Sequence, residues 1–182
     1  MHPMNWTSLR IETERLILRP PQAEDFDAWA ANMADPESAR FIGGAQLRTV
    51  AWRGFLTMAG AWVIQGFGMF SVIEKSSGQW IGRMGPWFPE GWPDREVGWA
   101  LARPAWGKGY ALEGATACLE FAFEQLGWSE VVHHIDPSNQ ASQVLAKKLG
   151  ATLLGPCQLP APLEHIPVES WGQTRKQWRQ RA

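Results

Sequence analysis

Apolar and polar residues follow two different periods along this chain, and each change of period marks a new element. RLILRPP, at 15–21, alternates on a two-residue repeat until two prolines stop it, which predicts a short strand. In QAEDFDAWAANMAD, at 22–35, the period lengthens. Phe26, Trp29, Ala30 and Met33 then share one face of a predicted helix, and its acidic first turn suits the positive end of the helix dipole. TVAWRGFLTMAGAWVIQ, at 49–65, predicts a second amphipathic helix that Gly66 ends. The shorter period returns in GMFSVIEK (68–75) and WIGRMGPWF (80–88), a hairpin joined by SSGQ, and again in REVGWALA (95–102), beyond the loop PEGWPD.

A helix is predicted to run on to Leu126, with Leu112, Ala115, Leu119 and Phe123 facing inward and Glu113, Glu120 and Glu124 on a solvated side. EVVHHID (130–136) predicts a strand. SNQASQVLAKKL (138–149) predicts a helix capped by Ser138 or Asn139 and stopped by Gly150. ATLLG and VESWGQT (168–174) are the last two predicted strands, and RKQWRQRA is a basic tail. This order predicts an α/β fold, a mixed sheet with helices on its faces. No repeat, low-complexity tract or linker interrupts it, so residues 1–182 are expected to form a single domain.

Composition narrows the function classes. The 182 residues are 45% hydrophobic and 19% charged, as in a globular chain with a real core. A net charge of −1 gives no charge-driven affinity for nucleic acid or acidic lipid. The first residues lack a long apolar run behind a basic start, so neither a signal peptide nor a membrane span is expected, and the cytoplasm is the default location. Cys118 and Cys157 match no metal or redox spacing and are expected as free thiols in a reducing compartment. There are 12 Trp and one Tyr. Most of the indoles suit a bulky core, while Trp87, Trp92 and Trp99 fall near the candidate site.

The chemistry starts at WGKGYA, 106–111. A strand, a glycine-rich turn and a helix together make an anion cradle. Glycines take positive φ, backbone N–H groups converge, and the helix start adds a favourable field of roughly 0.3–2 kcal/mol per charge. Lys108 adds a full positive charge. The stretch is not a P-loop, because Lys108 is followed by Gly109 rather than Ser or Thr, nor a dinucleotide fingerprint, because Leu112 stands where a glycine is needed. A phosphate or pyrophosphate site and a tight turn without ligand both remain open on the turn alone.

EVGWALARPAWGKGYALEGA, the helix ending FAFEQLGW and VVHHIDPSNQASQVLAKKLGA together resemble the GNAT superfamily of acyl-CoA N-acyltransferases. The branch they resemble most contains the ribosomal-protein N-terminal alanine acetyltransferases. RLILRPPQAEDFDAW and VESWGQTRKQW extend the resemblance over nearly the whole chain. It implies a mostly antiparallel sheet splayed at the coenzyme site, with helices on both faces. The superfamily's pyrophosphate loop, Gln/Arg-x-x-Gly-x-Gly/Ala, falls on Trp106 to Ala111, and Trp106 departs from it. By resemblance, Gly107, Lys108, Gly109, Tyr110 and Ala111 hold the coenzyme A pyrophosphate, with Trp106 at the rim. Trp99, Ala100 and Leu101 meet the pantetheine arm. Asn139 and Ser142 match the family's N-x-x-S, so Asn139 either contacts the pantetheine, caps its helix, or does both.

The implied reaction is attack of a neutral amine on the thioester of acetyl-CoA, with a base for the amine proton and an acid for the thiolate. At pH 7 a Lys amine is roughly 0.04% neutral and an α-amine roughly 10–15%, so an N-terminus needs less help. Glu96 is the candidate base; pairing with Arg95 or Arg83 is its structural alternative. Many superfamily members place a Tyr acid where this chain has Ala146, and Ser142, one turn earlier, is the candidate replacement. His133 and His134 are adjacent on a strand, point to opposite faces and cannot jointly hold a metal, so no metal is implied. The acceptor is a protein N-terminus or a small amine, in a pocket shaped by 36–60 and WFPEGWPD, where Glu90 and Asp94 would attract a cation. The expected assembly is a monomer or homodimer. A non-catalytic coenzyme A sensor and a phosphosugar- or nucleotide-binding α/β protein are the competing classes.

Overall fold

Eight strands make one open sheet in the computed structural model, which describes residues 8–181. The expectation about the first seven residues lies outside that range. In chain order the strands are β1 (Ile11–Glu12), β2 (Leu16–Arg19), β3 (Phe70–Glu74), β4 (Trp80–Trp87), β5 (Glu96–Leu101), β6 (Glu130–Ile135), β7 (Thr152–Cys157) and β8 (Val168–Thr174). Across the sheet the order is β1-β2-β3-β4-β5-β6-β8-β7, so the last strand inserts between the two before it. Every neighbouring pair is antiparallel except β5 and β6.

The helices are α1 (Phe26–Ala34), α2 (Pro36–Ala39), α3 (Arg48–Gln65), α4 (Tyr110–Glu120), α5 (Gln140–Lys148) and α6 (Arg175–Gln180). The patterned segments all form, within a few residues of their expected ends. Strand β1 and the one-turn α2 have no sequence forecast, because each is too short to establish a period. Helix α4 passes into a wider π turn at Phe121–Gln125 before Leu126.

Alternation along the strands sorts the core. Leu16, Leu18, Val72, Met84 and Val97 pack with Ala115, Cys118 and Leu119 of α4. Gly114 makes that contact possible, since a Cβ there would lie 2.3 Å from Met84 Sδ. Trp29, Ala30 and Met33 of α1 pack with Ala51 and Phe55 of α3 in a second cluster. Two carboxylates differ from the sequence reading. Asp25, in the acidic turn before α1, is buried and serves Arg19 with both oxygens at 2.8 Å, so it is an internal ion pair as well as a dipole partner. Glu113 is not solvated: it accepts from the Thr13 hydroxyl, the Arg15 N–H and Arg15 Nε, which ties the β1–β2 turn to α4.

One break in the sheet positions the site. Strands β5 and β6 share the single register pair Glu96↔Val132, with Val132 N–H donating to Arg95 C=O at 2.9 Å. Beyond it, β6 stays paired to β8 along its whole length while β5 diverges. Side chains occupy the fork. The His133 ring nitrogen Nδ1 lies 2.6 Å from Val97 C=O, and the Trp99 ring packs 4.7 Å from the His133 ring. The antiparallel bias and the splay agree with the sequence expectation.

Candidate functional site

Two cavities open on the fork and share a wall. The first, of about 430 Å³, runs from α2 past β5 to the start of α4. Trp99, Ala100, Leu101, Trp106, Gly107, Gly109, Tyr110, Ala111, Asn139 and Ser142 all line it. The structure thus brings together every residue of the sequence-predicted coenzyme set except Lys108, whose side chain is exposed and off the wall.

The turn has the backbone that the glycines allow. Gly107 and Gly109 sit at φ +72 and +81, a region that side chains disfavour, and nothing lies within 4 Å of a Cβ built on Gly107. The N–H groups of Gly107, Lys108 and Gly109 make no backbone bond to the rest of the described chain, and the first turn of α4 leaves further N–H groups unsatisfied. These donors and the open space fit a diphosphate. Arg15 completes the rim and was missed from sequence: Nη1 donates to Lys108 C=O at 2.8 Å, and the guanidinium stacks 4.6 Å over the Tyr110 ring. Its signal, a lone Arg 93 residues away, carries no spacing to read. Tyr110 is tied down, with its hydroxyl donating to Glu74 at 2.6 Å, an acceptor that raises the phenol's pKa.

Asn139 does cap α5, its side-chain oxygen accepting Ser142 N–H at 3.2 Å, and it also lines both cavities. Ser142 lines both as well, and its Oγ accepts from Trp99 Nε1 at 3.1 Å. Ala146 is fully buried in a cluster with Ile135, Ala151 and Trp171, so that position is core rather than cavity wall.

The second cavity, of about 290 Å³, lies on the other side of Trp99. Glu96 is at its base, 8% exposed. Burial pushes its carboxyl up to about 7, although Trp92 Nε1 donates to it at 2.8 Å and the His134 N–H also bonds it. No ion pair within 4.0 Å forms with Arg95 or Arg83, although Arg83 acts on the carboxyl through space and lowers its pKa against burial. Trp87, Trp92 and Trp99 all line this cavity, as do Phe41, Ile42 and Met58 from the expected segment 36–60. Glu90 and Asp94 line neither cavity. The wall missed from sequence is the segment after β7, where Leu159, Leu163 and Ile166 flank the space; a proline-rich loop shows no period that would flag them.

Both histidines also touch the second cavity. Burial pulls His133 down to about 4 and lowers His134, so both are neutral near pH 7. Among the described residues one group has metal-ligand character: an Asp94 carboxylate oxygen, a His134 ring nitrogen and Cys157 Sγ lie within 4.8 Å of one another. Sequence separation hid this trio. Cys118 is buried in α4, where desolvation raises its thiol pKa and leaves it inert. No helix among the described residues is long and apolar enough to cross a membrane.

Residues 15–152 match the acetyltransferase (GNAT) domain family. The chain is 36% identical over 87 residues to YkkB of Bacillus subtilis (strain 168), a match that spans 47% of this chain and 51% of that protein, about half its length. An acetyltransferase structure from Agrobacterium tumefaciens str. C58 superposes with a TM-score of 0.81 at 30% identity, covering 92% of this chain and 95% of that one. The ribosomal-protein-S5-alanine acetyltransferase of Vibrio fischeri shares the fold at a TM-score of 0.71 and 14% identity, over 94% and 99% of the two chains.

Proposed function

The chain belongs to the GNAT acetyltransferase family, and from that premise we propose that it is an N-acetyltransferase that moves the acetyl group of acetyl-CoA directly to a primary amine in a ternary complex. The acceptor is a protein N-terminus or a small amine. The chain acts as one acyltransferase domain, monomeric or homodimeric, in the cytoplasm. The observation that carries this reading is the meeting of two cavities at Trp99, Asn139 and Ser142, with a buried carboxylate poised near neutrality in the second.

The residues divide the work by cavity. Backbone amides of Gly107 to Ala111 bind the diphosphate, with Lys108 and Arg15 adding positive charge around it. Trp99 and Ala100 present the free edge of β5 to the amide-bearing arm, where a strand-like pairing is available, and Leu101 continues it with its C=O held by Trp106 Nε1 at 2.7 Å. Asn139 and Ser142 flank the thioester end. Glu96 takes a proton from the acceptor nitrogen, for which a carboxylate with a pKa near the working pH is well matched. The freed nitrogen lone pair forms the new N–C bond to the acetyl carbonyl carbon, the nitrogen releases its second proton to water, and the C–S bond breaks. The thiolate sulfur receives the Ser142 hydroxyl proton, directly or through water, and water re-protonates Ser142.

Acetyl transfer measured by mass spectrometry, with acetyl-CoA against N-terminal peptides and small amines, tests the proposal. One or more acceptors gain 42 Da, and calorimetry shows coenzyme A binding. Coenzyme A binding without transfer to any amine overturns catalysis, and no binding at millimolar coenzyme A overturns the whole assignment.

A further inference from the structure

Arg83, in the second cavity, is a cation with no carboxylate in contact, and Glu96 acts on it only through space. Arg19, Ser71 and Arg83 are cross-strand neighbours on β2, β3 and β4 and share one face of the sheet. Arg19 has a dedicated carboxylate in Asp25, which also accepts from Ser71 Oγ and Gln22 N–H and so has no capacity left. Arg83 has none. Its Nη1 reaches only two thioether sulfurs, Met69 at 3.5 Å and Met58 at 3.7 Å, and its guanidinium lies 4.8 Å from the Trp29 ring centre. Its Nε is shielded from solvent without any partner. No carboxylate of the described chain comes within 4.0 Å of it.

Thioether and π contacts are weak compensation for a half-buried guanidinium whose Nε is shielded from solvent. Burial lowers its pKa only to about 10, so it stays charged near neutral pH. The cavity also has room for a counter-ion. Arg83 pairs in register with Ala100, four positions along β5 from Glu96 and on the same face, and Gly98 stands between them without a side chain. A Cβ at Gly98 would lie 2.9 Å from Met69 Cε and 3.3 Å from Glu96 Oε1, so the glycine lets that methyl and the Glu96 carboxylate pack against the strand.

We propose that Arg83 is a specificity residue which binds an acidic group of the acceptor, so that the acceptor is a small amine bearing a carboxylate, with its amine at Glu96 and its carboxylate at Arg83. This deepens the acetyltransferase reading and rests on it. A small molecule, rather than a long peptide, suits a space of about 290 Å³ flanked by Leu159, Leu163 and Ile166. The two charged ends explain each other. The ligand carboxylate neutralises Arg83, and Glu96 faces the ammonium it must deprotonate.

The test pairs free amino acids with their carboxamides, and adds peptides with an N-terminal acidic residue, in the intact protein and in Arg83→Met and Arg83→Lys. The wild type acetylates one or more free amino acids with a kcat/KM about 100-fold above that of the matching carboxamide. Arg83→Met removes the preference, so that acid and carboxamide rates converge, and Arg83→Lys keeps part of it. Equal rates on acid and amide, or a preference that survives in Arg83→Met, overturn the proposal. Preference for acidic peptides over free amino acids overturns the small-molecule assignment. A binding arm separates this idea from the catalytic reading: calorimetry of the same ligands with coenzyme A present, which requires no turnover. Arg83-dependent carboxylate binding without transfer to any amine keeps the anion site and removes the catalysis. Transfer that ignores the carboxylate does the reverse.

Discussion

The two cavities that meet at Trp99 are made of different material. The proposed coenzyme side is built of backbone. Its candidate donors are consecutive N–H groups of Gly107 to Ala111, and its wall includes the edge of β5 that leaves β6. The acceptor side is built of side chains from elements far apart in sequence: Met58, Arg83, Trp92, Glu96, His134 and Leu163. A backbone site is carried by conformation, so its identity resides in a few glycines. A side-chain site is carried by charge and burial, so its identity resides in residues whose pKa or pairing departs from the ordinary. The same fork serves both, because a strand that leaves its neighbour exposes main chain on one side and opens a pit on the other.

The sharpest way to break that contrast is Glu96→Gln. It removes the proposed base while leaving the glycine turn untouched, so kcat falls about 100–1000-fold and coenzyme A affinity stays within twofold, by steady-state kinetics and calorimetry. The activity limb that rises through about pH 7 in the wild type disappears, and only the acceptor's own ionisation remains. Stability moves the other way. Glu96 has its folded pKa raised from 4.5 to about 7, so its contribution is full below pH 4.5 and is lost as pH rises through 7. Above pH 7 the charged form costs on the order of 3 kcal/mol, and Glu96→Gln is more stable than wild type there by up to about that amount in urea titrations. The gap closes below pH 4.5. His133, with its folded pKa depressed to about 4, destabilises both proteins as pH falls below 6.5 and does not blur the comparison. A variant with full activity, or no gain in stability at pH 8, would place the base elsewhere.

Gly109→Val attacks the other region and should give the mirror result. A β-branched residue at φ +81 is strained by about 1–3 kcal/mol, and its Cβ would lie 3.3 Å from Arg15 Nη2. Coenzyme A affinity falls about 10–100-fold in calorimetry. Once coenzyme is saturating, kcat recovers to within severalfold, and the pH 7 limb of Glu96 persists. Unchanged affinity would mean that the turn does not hold the coenzyme.

The contrast also explains what could be read from the chain beforehand. The glycine turn and the Asn139 cap are legible because their geometry is local, fixed within a few residues by a strand, a turn and a helix start, whereas Ser142 enters only through the resemblance to the N-x-x-S motif. Glu96 was legible as a residue on the right strand, but its raised pKa was not, since burial depends on Trp92 and on how β6 returns. Arg83 offered no signal beyond one charge in an apolar strand. What gives it meaning is the absence of a carboxylate in contact, and a missing contact is a property of the folded whole. The insertion of β8 between β6 and β7 was equally hidden, because period predicts strands and not their order.

Ser142 lies on the boundary and is the finest probe of it. Its Oγ accepts from Trp99 Nε1, which fixes one lone pair and leaves the hydroxyl proton free for another acceptor in the shared wall. A departing thiolate is such an acceptor. Its help is modest, because thiolates leave readily, with simple thiols ionising near pH 8.5. Ser142→Ala therefore lowers kcat only about 3–10-fold, with coenzyme A affinity within twofold. Since the same hydroxyl also steadies the Trp99 ring, Ser142→Thr is the control: it keeps an O–H at the wall and regains most of the rate. An alanine variant that turns over at the wild-type rate takes Ser142 out of the proton path, and a threonine variant as slow as alanine makes it a prop for Trp99. Either outcome leaves the division between a backbone-built coenzyme side and a side-chain-built acceptor side to rest on Gly109 and Glu96.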